Sequence, residues 1–112
     1  PKTGFLINLN DFDHQSDGKL DWQLRTDGVC CDRMTANTAL TAGDWHHIVG
    51  TYDGEFSRLY INGIEDSESP LATNGSIKGT QKIWVGNNID AGYNSIWGFY
   101  GLIDEEKYIT VQ

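Results

Sequence analysis

Apolar and polar positions alternate with a period of two in several separate stretches of the chain. Residues 19–26 show it most cleanly: Leu20, Trp22 and Leu24 point one way, and Asp21, Gln23 and Arg25 the other. That is the period of a strand with one face buried. Residues 3–9 repeat it, with Phe5, Ile7 and Leu9 sharing a face. Residues 45–52 are a run of β-branched and aromatic side chains without proline, which predicts a strand. Asp53-Gly54 then supplies a pair suited to positive φ, the signal for a tight hairpin. Residues 56–61 return as a second strand, closed by the turn pair Asn62-Gly63. Two such turns in close succession predict an antiparallel meander.

The rest of the chain follows the same grammar. Asp27-Gly28 predicts a turn, residues 29–34 a short strand, and residues 36–42 mostly loop with Leu40 tucked inward. Residues 64–69 read as a strand whose pairing Pro70 limits. Residues 71–80 are loop-like, 82–86 a strand, and 87–98 the longest irregular stretch. Residues 99–110 form the last strand, where Gly98 and Gly101 permit a bulge or a close backbone approach. No helix-period segment with a cap stands out, and neither does an internal repeat. Short strands at this spacing predict an all-β sandwich of seven or eight strands.

A length of 112 residues fits one domain spanning residues 1–112. A chain of this size buries roughly two-thirds of its unfolded surface, enough for one thin core. The net charge of −8 leaves no basic footprint for nucleic acid and would repel an anionic membrane. No apolar run is long enough to span a bilayer, so no membrane insertion is expected, and Pro1 opens no signal-peptide pattern. Cys30 and Cys31 are adjacent, with α-carbons about 3.8 Å apart, below the usual disulfide range. They are either two thiols on opposite faces of a strand or a strained vicinal disulfide. Two cysteines alone fall short of a zinc site.

The central meander carries a family resemblance. Trp45, His47, Tyr52, Asp53 and Gly54, then Leu59, Tyr60, Asn62 and Gly63, then Gly86, Gly101, Ile103, Asp104 and Glu105 form a recognisable set. With them the chain resembles the laminin-G-like domains of the concanavalin A-like lectin/glucanase superfamily, closely over residues 43–108 and more loosely over 4–28. The resemblance implies a concanavalin A-like jelly-roll β-sandwich. Relatives place one or two strands before the counterpart of residues 3–9, so a sandwich shortened at the N-terminus is expected. It also implies an extracellular or cell-surface setting. Most relatives bind carbohydrate or adhere, and a minority are glycoside hydrolases.

The residues weigh against hydrolysis. Retaining and inverting glycosidases need two carboxylates facing one cleft. The superfamily's glucanases place them on a Glu-x-Asp-x-Glu strand. Here Asp104 and Glu106 share a face with Glu105 opposite, and that order is absent. The resemblance makes Asp104 a candidate ligand of a structural calcium. The competing reading is that Asp104 bonds loop backbone or pairs with Lys107 or Arg58. The aspartates of residues 10–18 lack the spacing of a calcium loop and read as a solvated hairpin loop. His46 and His47 occupy opposite faces of one predicted strand and cannot chelate together. His47 is expected at the core edge, His46 exposed or on the opposite face, and His14 isolated.

Trp22, Trp45 and Trp84 sit on apolar alternation and are expected in the core. Residues 87–100 differ, because aromatic rings and planar polar groups are interleaved there: Asn88, Asp90, Tyr93, Asn94, Trp97 and Tyr100. Sugars stack their CH faces on aromatic rings and bond their hydroxyls to amides and carboxylates. A long loop on a rigid sandwich is where such binding sits. The expected function is therefore non-catalytic, lectin-like carbohydrate binding with those six residues as ligand contacts. The alternative is a protein-interaction or oligomerising module pairing through a sheet edge, most simply as a homodimer. The competing reading of these rings is that Trp97 packs as a lid on the sheet and Tyr93 props the loop.

Overall fold

A computed structural model describes residues 4–9, 18–27, 32–77 and 102–104. The chain divides into two units, Pro1–Gln81 and Lys82–Gln112. Within the first unit the described residues form seven strands and no helix. Strands β1 (Gly4–Leu9), β2 (Lys19–Arg25) and β3 (Asp32–Ala39) make one antiparallel sheet in the order β1-β2-β3. Strands β4 (Ile48–Tyr52), β5 (Phe56–Ile61) and β6 (Ile64–Glu65) make the other, with β7 (Leu71–Ala72) also pairing to β5.

The turn chemistry explains the second sheet. Asp53 Oδ1 accepts the backbone N–H groups of Glu55 at 2.9 Å and Phe56 at 2.8 Å, folding the chain back on itself. Gly54 takes φ +100°, a region L side chains avoid, and Tyr52 then pairs with Ser57. At the next turn Asn62 and Gly63 both have positive φ, 54° and 82°, which matches the twist of the strands they join.

The two sheets face each other across one core. Leu20, Trp22 and Leu24 of β2 and Met34 and Ala36 of β3 meet Leu59 and Ile61 of β5, all buried. Full burial of a leucine such as Leu24 or Leu59 contributes about 1.5–3 kcal/mol. Two further ties join the layers. Buried Asp66, just after β6, accepts the backbone N–H groups of Asn37 and Thr38 at the end of β3, each at 2.9 Å. At the other end Asp27 and Ser76 exchange backbone and side-chain hydrogen bonds, and the Tyr52 hydroxyl donates to the Gly75 carbonyl.

Several expectations shift. The strand predicted from residue 45 starts at Ile48, and Trp45 is 65% exposed rather than in the core. The strand predicted over 29–34 runs over Asp32–Ala39, taking in residues expected to be loop. The one predicted over 64–69 is only Ile64–Glu65, because the chain turns at Asp66. Leu71–Ala72 pairs where loop was expected. Phe5, Ile7 and Leu9 do share a face, opposite Leu24, Trp22 and Leu20, yet each stays roughly 40% exposed at this edge of the sheet. Residues 102–104, placed in a predicted strand, have no regular structure. Cys30, Cys31, residues 10–17 and the predicted strand at 82–86 lie outside the described residues.

Candidate functional site

Strand β5 separates its side chains onto two faces. Ser57, Leu59 and Ile61 are buried, so Phe56, Arg58 and Tyr60 line the opposite, outward side and are half-buried there. The register sets their neighbours. Thr51 lies beside Arg58, Val49 and Glu65 flank Tyr60, and Ala72 lies beside Phe56.

Arg58 is fixed in the middle of this row. Its Nη1 donates to Asp53 Oδ2 at 2.9 Å, its Nε lies 3.6 Å from Glu65 Oε2, and its guanidinium sits 5.3 Å from the centre of the Phe56 ring. The pairing with Asp53 raises the Arg58 pKa further. Asp53 itself is lowered to about 2 by the N–H groups of Phe56 and Glu55 and by Arg58. A carboxyl held that low is a permanent anion at neutral pH and cannot serve as a general acid. The face offers flat aromatic surface and oriented polar groups.

A second feature lies at the loop before β4. The His46 ring accepts from one side and donates to the other: Nε2 bonds the Thr41 carbonyl at 2.9 Å, and Nδ1 lies 3.3 Å from Asn62 Nδ2. A carbonyl can only accept, so Nε2 carries the proton and Nδ1 accepts from the amide. Asn62 Oδ1 accepts the His47 N–H at 2.9 Å, and the Asn62 N–H donates to the His47 carbonyl at 2.7 Å. The histidine expectations thus exchange places: His46 is half-buried with both ring nitrogens engaged, and His47 is exposed. The same network explains why the strand begins late. The Asn62 side chain takes the His47 N–H, which would otherwise complete the next rung of the ladder with β5.

Asn88, Asp90, Tyr93, Asn94, Trp97 and Tyr100 lie outside the described residues. Asp104 is described and exposed. Among the described residues no group of three or more His, Cys, Asp or Glu side chains could hold a metal ion. Calcium takes six to eight oxygens. A structural calcium at Asp104 would therefore need most of its ligands from beyond the described set. Reading the sequence for long loops passed over the Phe56–Arg58–Tyr60 row, although the inward alternation of Ser57, Leu59 and Ile61 already placed it outside.

Three similarities bear on this geometry. The laminin-G family model described as the concanavalin A-like lectin/glucanases superfamily matches residues 3–107. Laminin subunit alpha-3 of Homo sapiens is 32% identical over 72 residues, 64% of this chain and 2% of that protein. The chain therefore spans a small fraction of that relative. A crystal structure of an S-layer domain-containing protein from Clostridium thermocellum superposes with a TM-score of 0.50 at 22% identity, covering 96% of this chain and 57% of that one. That last likeness speaks to the fold alone. Among the described residues no helix is long and apolar enough to cross a membrane.

Proposed function

Because the chain belongs to the concanavalin A-like lectin/glucanases superfamily, we propose that it is a non-catalytic recognition module that binds carbohydrate. The observation that carries this reading is the row of Phe56, Arg58 and Tyr60 on the outward face of β5, with Arg58 held between Asp53 and Glu65. Aromatic rings suit the CH faces of a sugar, and fixed donors and acceptors suit its hydroxyls. A site organised before the ligand arrives loses little side-chain entropy on binding. Asn88, Asp90, Tyr93, Asn94, Trp97 and Tyr100 form a second set of contacts in this proposal. The match to a laminin subunit favours work outside the cell or at its surface.

Titration against a panel of neutral and sulfated oligosaccharides tests the reading. Tyr60→Ala and Phe56→Ala should each weaken sugar binding about tenfold or more. Absence of binding to every glycan, or binding indifferent to both variants, would sink it.

A specific observation favours a second reading, in which the module joins copies of itself. Phe5, Ile7 and Leu9 put 42%, 40% and 37% of their surface in water on one face of β1. Sedimentation separates the readings. A dimer that Ile7→Lys dissociates supports association, whereas a monomer at tens of micromolar excludes it.

A further inference from the structure

Of the two tryptophans among the described residues, Trp22 is 5% exposed in the core and Trp45 is 65% exposed. Such an indole leaves a large apolar surface in water. That calls for an explanation, because aromatic rings dominate burial wherever a fold can bury them. The surrounding loop is not loose. Thr41, His46, His47 and Asn62 are joined by four hydrogen bonds that fix the backbone on the C-terminal side of Trp45. The chain thus holds an open indole on a braced loop.

We propose that Trp45 is the stacking platform of a subsite for a neutral pyranose; the inference rests on the carbohydrate reading above and names the ligand class. Polar groups on this loop and bonded to it have capacity left over. The second Nδ2 hydrogen of Asn62 remains for a ligand, since the first goes to His46 and Oδ1 takes the His47 N–H. Asp44, next to Trp45 in the chain, and His47, two residues on, are both exposed and offer an acceptor and a donor on the same loop. A hexose presents those complements: an apolar CH face for the ring and hydroxyls at its rim.

Charge selects among glycans. Asp44 adjoins the platform, and the whole chain carries a net charge of −8. A sulfated or uronate-rich chain would meet repulsion at close range and at a distance. The subsite therefore favours uncharged sugars. A protein partner fits less well, because Trp45 follows the charged Asp44 in the chain, whereas the centre of a protein interface is depleted in charge. Ile64, 72% exposed just past the Asn62–Gly63 turn, is the feature that would serve such a partner.

The test uses the whole chain with oligosaccharides of glucose, galactose, mannose and N-acetylglucosamine, and heparin as the sulfated probe. Wild type should bind at least one neutral probe more tightly than heparin, with little dependence on salt. Trp45→Ala should lose tenfold or more in affinity with the melting temperature unchanged. Trp45→Phe, which keeps a smaller ring, should fall between. Sugar should also shield wild type from acrylamide quenching, and that part of the shielding should vanish in Trp45→Phe. If both Trp45 variants bind as wild type while Tyr60→Ala does not, the platform is wrong and the carbohydrate reading stands. No binding by wild type removes both. Preference for heparin overturns the neutral class, and loss of self-association in Trp45→Ala without any sugar response assigns the residue to a protein interface instead.

Discussion

The flat side of the Trp22 indole rests on the backbone of Gly50, close enough that a β-carbon there would lie 2.9 Å from Cδ2, Cε2 and Cε3 of the ring. Trp22 belongs to one sheet and Gly50 to the other, so this contact sets how near the two layers come. Gly50→Ala should cost about 1–3 kcal/mol, since neither a packed indole nor strand backbone yields cheaply. Urea unfolding measures it, and a variant as stable as wild type would show that the layers can move apart freely.

The acid limb of stability should be steep. Burial pushes the Asp66 carboxyl up, but the N–H groups of Asn37, Glu68 and Thr38 outweigh it, and the group ends below its ordinary value. A depressed carboxyl contributes stability that is complete above the unfolded pKa, about 3.9, and is lost as pH falls through the folded value. Asp53, lowered to about 2, acts in the same direction. Asp66→Ala should cost about 2–4 kcal/mol at neutral pH, because it strands backbone donors. Its deficit against wild type should shrink as pH falls below about 4.

Gly54 is expected to resist substitution for a different reason. A Cβ there meets nothing within 4 Å, so space is available, but the φ of +100° is not open to a β-branched residue. Gly54→Val should therefore destabilise by about 1 kcal/mol or more through backbone strain alone. A neutral result in thermal melts would mean that the turn readily adopts another conformation.

The candidate contacts among residues 87–100 carry a test of their own. Trp97→Ala should weaken sugar binding and leave the melting temperature nearly unchanged if the ring meets ligand. A drop of many degrees with binding intact would assign Trp97 to packing.

Local pattern made much of this fold readable. The alternation through Leu20, Trp22 and Leu24 and the turn pairs Asp53-Gly54 and Asn62-Gly63 act over a few residues and are found where expected, although Asp21, read onto the other face of β2, is buried as well. Trp45 lies outside the strand because propensity takes no account of the Asn62 side chain, which claims the His47 N–H from the end of the neighbouring strand. The far end of β3 was read as loop for a similar reason. Asn37 and Thr38 lack an apolar pattern, and their amides are satisfied by a carboxylate 29 and 28 residues away. The Phe56–Arg58–Tyr60 row was legible as alternation, but its ion pairs with Asp53 and Glu65 emerge only once the strands are paired.

The Asp66 clasp also has a signature in time. Asn37 and Thr38 are exposed residues at the margin of a sheet, where amide protons normally trade with solvent through local fraying. With both amides anchored to a buried carboxylate of the opposite layer, release requires the layers to part. These two surface amides should therefore exchange as slowly as those of the core, and their exchange rate should report how often the sandwich opens.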